Sequence, residues 1–261
     1  MEWTNPYPWY VKILYLFIRP NVAFWDINHK RSKAPGFLIL LFNSLLYGLM
    51  GLAFFSHFNI SSLSPFSNVL VLYNLSMFLA FFAFGFVFQF LFFAIQIWLF
   101  TKGANMAVDF SKRLESRFGE EKEEELKHKR EELSPFSIYR GGTLLQKQQA
   151  YKFRMMLCAF APFLLINAIK ILIILIAFPT INISVSGTFY ESIFSYMFES
   201  PVWAVLDVID AVTIAIWIPI LMALSMRELS NASTFRALIS SFMIGVLMAI
   251  FFYFLRPTLF G

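Results

Sequence analysis

Charged side chains are scarce in this sequence. Only 14% of its 261 residues are Asp, Glu, Lys or Arg, whereas 59% are hydrophobic and the mean hydropathy is +0.67. A soluble domain usually has about 25% charged residues, which cover its surface. Because this chain has too few polar side chains for such a surface, the composition indicates an integral membrane protein.

Cysteine and the common catalytic motifs are also scarce. The single cysteine, Cys158, has no second cysteine in the chain to pair with, which excludes an intrachain disulfide scaffold. His29, His57 and His128 are far apart in the sequence, and no HExxH, GxSxG or phosphate-binding GK[ST] motif occurs. We therefore predict no catalytic residue, no metal site, no cofactor and no enzymatic activity.

Five apolar segments are long enough to cross a bilayer, which takes roughly 20 residues. They are residues 36–58, 69–100, 155–178, 202–226 and 235–255. The second segment carries no charge, and it is too long for one upright helix yet too short for two helices with a turn. We interpret it as a single tilted or overlong helix. The predicted fold is an all-α bundle of five transmembrane helices.

Apart from Lys170 inside the third segment and Arg256 after the last one, lysine and arginine occur only in or next to alternate connections between these segments. They occur in residues 1–35, in the loop 102–154 and near Arg227, whereas residues 59–68 and 179–201 contain none. Connections rich in Lys and Arg remain on the cytoplasmic side. The pattern predicts a cytoplasmic N-terminus and a C-terminus outside or in the lumen. It also attributes the net charge of +5 to membrane topology and not to nucleic-acid binding.

Two parts of the chain are predicted to lie outside the membrane-spanning helices. In residues 1–35, an aromatic and apolar stretch predicts an interfacial helix whose Lys12 and Arg19 reach lipid phosphates, and Pro20 ends or kinks that helix. The membrane domain 36–255 contains the second part, the charged cytoplasmic loop 102–154. This loop ends at Gly141-Gly142, which permits a sharp turn back to the membrane.

Ionisable and amide side chains inside the predicted spans form a candidate polar cluster. Asn167 and Lys170 share one face of the third span, and Asp207 and Asp210 share one face of the fourth at a matching depth. A charge inside the membrane is expensive unless it is paired or hydrated. The cluster is therefore either a salt bridge that joins the two helices or an ion or proton site.

Two prolines are predicted to kink the third and fourth spans. Pro162 and Pro219 lie at similar distances from the cytoplasmic ends of their helices, and each removes a backbone hydrogen-bond donor. Broken helices at one depth occur in transporters, although kinked packing without transport is the commoner arrangement.

Three stretches of the chain resemble the Yip domain family, the Ypt/Rab GTPase-interacting five-span membrane proteins. The first runs from Arg19 to Ile27, the second from Gly141 through Tyr151 to Pro162, and the third from Trp203 to Ala237. The positions that match the family's motifs are Pro20, Phe24, Gly141, Gly142 and Pro162. The resemblance covers about residues 14–255, and it is compatible with a prokaryotic member.

The resemblance implies a scaffold or adaptor in membrane trafficking or membrane organisation. Its partners would be a small GTPase or other Yip-family membrane proteins besides the lipid bilayer, and it would form a homo- or hetero-oligomer. The implied location is the endoplasmic reticulum or Golgi in a eukaryote and the cell membrane in a prokaryote. The alternative function, which follows from the polar cluster, is a small transporter or channel subunit.

Overall fold

The computed structural model describes residues 5–30, 33–60, 68–118, 142–183, 195–196, 199–230, 238–239 and 241–250. Over these residues the chain is helical apart from two short strands. In chain order the elements are α1 Trp9–Ile18, α2 Pro20–His29, α3 Gly36–Phe55, β1 Phe58–Ile60, α4 Asn68–Phe118, α5 Gly142–Leu157, α6 Pro162–Ala177, β2 Ile181–Ile183, α7 Pro201–Val212, α8 Ile218–Ser230 and α9 Ser241–Ile250.

Four helical stretches are long and apolar enough to cross a membrane. They are Gly36–Phe55, Leu70–Lys102, Ala150–Ala177 and Pro201–Leu229. Their length and composition confirm an integral multi-pass membrane protein. Of the predicted fifth span, the structure describes the ten-residue apolar helix α9, and the remainder of 235–255 lies largely outside the described residues. The count of five spans and their orientation therefore stay predictions.

The second apolar segment is one uninterrupted helix. Helix α4 has 51 residues and continues beyond the apolar stretch to Phe118, which includes the first part of the loop 102–154. It packs mainly on α3. At Gly48 of α3 the ring of Phe78 approaches so closely that a Cβ would lie 2.7 Å from it. A side chain at this position would force the ring of Phe78 to move.

The third and fourth spans are each interrupted next to a proline. A 3₁₀ turn at Cys158–Phe160 separates α5 from α6, which begins at Pro162. A π-helical turn at Thr213–Trp217 separates α7 from α8 and precedes Pro219. Such turns accommodate the missing N–H of proline and its clash with the preceding turn.

The buried side chains form two hydrophobic cores, one at each end of the bundle. The N-terminal core joins the α1–α2 hairpin to the 3₁₀ turn and to α8, and its members include Leu16, Phe24, Ile27, Cys158, Phe160, Ile218 and Met222. The opposite core includes Met50, Phe54, Ile174, Phe178 and Leu206. Because residues beside both helix interruptions belong to the N-terminal core, the interruptions shape the surface on which the hairpin packs.

Strands β1 and β2 are an addition to the predicted all-α fold. They pair in parallel, with Asn59 opposite Asn182, directly after α3 and α6. The pairing shows that α3 and α6 end on the same side of the bundle. It also provides hydrogen-bond partners for backbone that has left a helix.

Candidate functional site

The predicted polar cluster contains a buried ion pair. Nζ of Lys170 on α6 lies 2.7 Å from Oδ2 of Asp210 on α7, and both side chains are buried. The same ammonium lies 5.5 Å from the centre of the Tyr47 ring on α3, within cation–π range. Asp207 is half-buried one turn before Asp210. Lys170 and Asp210 thus join α6 to α7, with α3 alongside.

Asn167 has a separate partner. Its Nδ2 donates a hydrogen bond of 3.2 Å to Oδ1 of Asn43 on α3, and both side chains are completely buried. Three of the four residues grouped from the sequence therefore take part in two separate contacts, the Lys170–Asp210 pair and the Asn167–Asn43 bond. Sequence reasoning missed Asn43, for which the available signal was a lone amide within an apolar run.

A small cavity lies beside the ion pair. Its volume is about 30 Å³, and its walls are aromatic side chains of α3, α4 and α6 together with Gln89, Asp210 and Ile214. Oδ1 of Asp210 and Oε1 of Gln89 are buried and accept no hydrogen bond from any residue within the described ranges. Buried acceptors are normally hydrogen-bonded. The cavity therefore combines two oxygen acceptors with room for one small polar molecule of about the size of water.

The cavity also adjoins the π-helical turn of the fourth span. Ile214, which belongs to that turn, lines the cavity, and Oγ1 of Thr213 donates a hydrogen bond of 2.8 Å to the carbonyl oxygen of Ile209. On the other side of the turn, Gly245 of α9 packs against Pro219 and the carbonyl oxygen of Ile214. A side chain at Gly245 would clash with both, so α9 approaches the turn closely because this residue is glycine.

A second buried charge cluster, absent from the sequence predictions, lies in the N-terminal hairpin. Asp26 on α2 is fully buried; Nζ of Lys12 lies 3.6 Å from its Oδ2 and Nζ of Lys30 lies 3.2 Å from its Oδ1. The backbone N–H of Tyr7 donates to Oδ2 at 3.2 Å. Burial lowers the pKa of Lys12, and the carboxylate of Asp26 opposes this shift.

The prediction that Lys12 reaches lipid phosphates is wrong. Lys12 faces the protein interior because α1 turns this side toward Asp26, and only Arg19 of the two predicted phosphate ligands is exposed. A usable signal was present in the sequence, since Asp26 is the only acidic residue between positions 3 and 60. A lone carboxylate among lysines is a natural partner for them.

Hydrogen bonds attach α2 to two other parts of the chain at the N-terminal end of the bundle. Nδ2 of Asn28 donates to the carbonyl oxygen of Glu228 at 2.7 Å, and the hydroxyl of Tyr151 donates to the carbonyl oxygen of Ile27 at 2.7 Å. Arg227 also donates to Asn21 at 3.2 Å. We call this group of contacts, made by α2, Tyr151 and the segment 227–228, the N-terminal junction.

Four of the five positions that resemble the Yip motifs lie among the described residues. Pro20 is the first residue of α2, Phe24 is completely buried in the N-terminal core, and Gly142 and Pro162 begin α5 and α6. Gly141 lies outside the described residues.

The chemistry of the described residues defines a class but no narrower identity. Among them, no group of three or more His, Cys, Asp or Glu side chains is arranged to hold a metal ion. The protein belongs to the multi-pass membrane proteins, with a buried ion pair inside the bundle and a hydrogen-bonded junction at its N-terminal end. No protein-family model matches the chain, and no curated protein or solved structure shows detectable similarity to it.

Proposed function

We propose that this protein is a membrane scaffold or adaptor that recruits cytoplasmic partners, in the manner that its resemblance to the Yip domain family implies. The observation that carries the proposal is the N-terminal junction. Three stretches that the charge pattern assigns to the cytoplasm meet there: the N-terminal segment, the end of the loop 102–154 and the segment near Arg227.

A recruiting surface needs side chains that are exposed but held on a firm base. The junction provides the base through hydrogen bonds between residues as far apart in sequence as Asn28 and Glu228. Arg19, Asn21 and His29 are exposed around it. The buried Phe24 of the Yip-like stretch anchors α2 in the N-terminal core, which supports a role for that stretch in building the surface.

Helix α4 extends the same side of the molecule. It continues for 16 residues beyond Lys102, which corresponds to about 24 Å of helix. The charged part of the loop follows this extension directly in the sequence. Under this proposal the bundle has five spans with the N-terminus in the cytoplasm, and its partners are a small GTPase or related membrane proteins.

The proposal is tested by crosslinking in the host membrane followed by affinity capture. The wild type is compared with a variant whose residues 102–154 are scrambled and with Asp207→Asn, a control at the opposite end of the bundle. We expect the wild type and the control to capture a small GTPase, a coat component or a sister membrane protein, and the scrambled variant to lose it. Capture of the same proteins by all three would contradict the proposal.

A transporter or channel subunit is the second candidate, and the cavity beside Asp210 favours it. Two acceptor oxygens face a space inside the bundle, an arrangement that can hold a permeating species briefly. Five spans make a small pore-forming unit, so this function would require an oligomer. The test is proton or monovalent-cation flux into liposomes, which Asp210→Asn should abolish while the protein stays folded. Equal flux through the variant would exclude this candidate.

A further inference from the structure

Helix α1 has an outward face that is apolar. Tyr10, Leu14 and Ile18, spaced four residues apart on one side of the helix, are 60%, 53% and 64% exposed. The residues on the opposite side, Lys12 and Leu16, are buried against the protein. A helix surrounded by water would show the reverse pattern. The outward face of α1 is therefore suited to contact lipid.

Helix α2, which follows after Arg19, has a different outward face. Its exposed positions are polar, Asn21 and His29. The ring of Trp9, at the start of α1, lies 6.0 Å from that of Phe42, which is six residues (42 − 36 = 6), or about 9 Å, inside α3. The chain thus passes from an apolar to a polar environment between α1 and α2. An apolar outward face next to a polar one is the arrangement expected of helices at a membrane interface.

Exposed basic side chains lie at this boundary. Arg19 joins α1 to α2, Lys33 precedes α3, and the guanidinium of Arg154 lies 5.6 Å from the ring centre of Phe37. Gly36 packs against the carbonyl oxygen of Arg154, which brings the segments that carry Lys33 and Arg154 together. We call Arg19, Lys33 and Arg154 the basic rim.

The sequence on either side of the basic rim contains few carboxylates. Asp26 is the only acidic residue between positions 3 and 60, and it is fully buried between Lys12 and Lys30. Residues 142–190 contain no acidic residue at all. Lys33 and Arg154 therefore place positive charge beside the hairpin, where Nζ of Lys12 on α1 donates to the carbonyl oxygen of Lys33 at 3.4 Å.

We propose that the basic rim binds the phosphate of an anionic phospholipid headgroup while the apolar face of α1 lies against the acyl chains of the same leaflet. The positive charge complements the headgroup, and the exposed face of α1 places the rim at headgroup depth. The inference shares Arg19 and Arg154 with the regions assigned to the adaptor function, but it concerns a lipid headgroup, and a lipid-affinity measurement can contradict it while the capture of protein partners is unaffected.

The test uses the purified full-length chain in detergent, with bound lipid measured by native mass spectrometry during titration with phosphatidylglycerol or phosphatidylcholine. We expect phosphatidylglycerol to bind more tightly. In Lys33→Gln/Arg154→Gln its affinity should fall about 25-fold, about fivefold for each charge. The matched control is Lys127→Gln/Lys129→Gln, which removes the same charge from the glutamate-rich part of the loop and should leave the affinity unchanged.

Each alternative outcome would overturn the proposal. Equal affinity for the two lipids would show that the headgroup charge is not recognised, and equal losses in the two variants would reduce the effect to net charge. Competition by 10 mM inorganic phosphate would identify a site for free anions. Tighter lipid binding after replacement of the loop glutamates by glutamine would show that the loop, not lipid, occupies the rim. The two substituted rim residues, Lys33 and Arg154, are exposed, so the variants should fold, and circular dichroism checks this.

Discussion

Two aspartates are buried in the part of the chain that the structure describes, and their surroundings differ. Asp26, in the N-terminal hairpin, has two lysines and a backbone N–H around its carboxylate. Asp210, which lines the cavity inside the bundle, is bonded to Lys170 through one oxygen, while its other oxygen accepts no hydrogen bond from the described residues. The first carboxylate keeps a cation if either lysine is lost. The charge of Asp210 is compensated, among the described residues, by the ammonium of Lys170.

This difference has energetic consequences because a buried charge is costly mainly when its partner is removed. Replacing a whole buried ion pair by apolar groups is often neutral, whereas removing one partner leaves an uncompensated charge. The contribution of a lysine therefore depends on what remains beside the carboxylate after the lysine is gone. The same substitution should have very different effects at Lys170 and at Lys12.

The largest effect is expected for Lys170→Met. The substitution leaves Asp210 inside the bundle without the ammonium bonded to it, and the free energy of unfolding in detergent should fall by about 3–5 kcal/mol. Lys102→Met, at an exposed lysine at the end of the apolar stretch of α4, should change the free energy of unfolding by less than about 0.5 kcal/mol.

The double variant Lys170→Met/Asp210→Leu distinguishes the loss of a partner from the loss of packing. Because it removes both charges, it should recover most of the stability that the single substitution loses. A double variant as unstable as Lys170→Met would show that the loss of stability comes from lost packing and not from the uncompensated charge of Asp210.

The parts of this fold that were predicted correctly from sequence depend on the bilayer. A membrane demands long apolar runs, so the four spanning helices were predictable from composition and length, whereas the predicted fifth segment lies largely outside the described residues. Counting residues from the helix ends predicted that Lys170 and Asp210 lie at the same depth in the membrane. Depth along a helix follows from the sequence because the rise per residue is constant.

The orientation of each helix around its own axis was harder to predict. Whether Lys12 turns toward lipid or toward Asp26 depends on how α1 rotates in the finished bundle, and the apolar residues on both of its sides leave that open. The same holds for Asn167, which meets Asn43 and not the ion pair. Contacts between residues more than a hundred positions apart depend on helix packing, which local periodicity does not specify.

The next largest effect is expected for Asp26→Asn, which removes the carboxylate shared by two lysines. The free energy of unfolding should fall by about 2–3 kcal/mol at pH 7, since bonds to a charged group are lost. Lys30 lies near the surface and can turn toward water, which keeps the loss below that of Lys170→Met.

The pH dependence of Asp26→Asn provides a separate check. Burial lowers the pKa of Lys12 below 10.5, and the variant lacks the carboxylate that opposes this shift. Between the lowered pKa and 10.5 the unfolded chain binds more protons than the folded one, so stability rises with pH in that window. The variant should therefore recover stability between pH 7 and 10 more steeply than the wild type, as measured by unfolding at each pH. Parallel curves would contradict the shared-carboxylate interpretation.

A smaller effect is expected for Tyr151→Phe, which tests the attachment of the hairpin that carries Asp26. The substitution removes only the hydroxyl that donates to the carbonyl oxygen of Ile27. One hydrogen bond contributes about 1 kcal/mol, and the midpoint of thermal unfolding should shift accordingly. Tyr196→Phe, at an exposed tyrosine outside the junction, should leave the midpoint unchanged.

The smallest effect is expected for Lys12→Met, and it completes the comparison with Lys170→Met. Methionine replaces the buried stem of Lys12 with a side chain of similar length, and Asp26 keeps Lys30 at 3.2 Å and the N–H of Tyr7. Burial lowers the pKa of Lys12 because the charged ammonium is poorly hydrated there. Removing this ammonium therefore loses little favourable hydration. The free energy of unfolding should fall by less than about 1 kcal/mol. A loss as large as that of Lys170→Met would mean that Lys30 does not compensate Asp26, and the two carboxylates would then be equivalent.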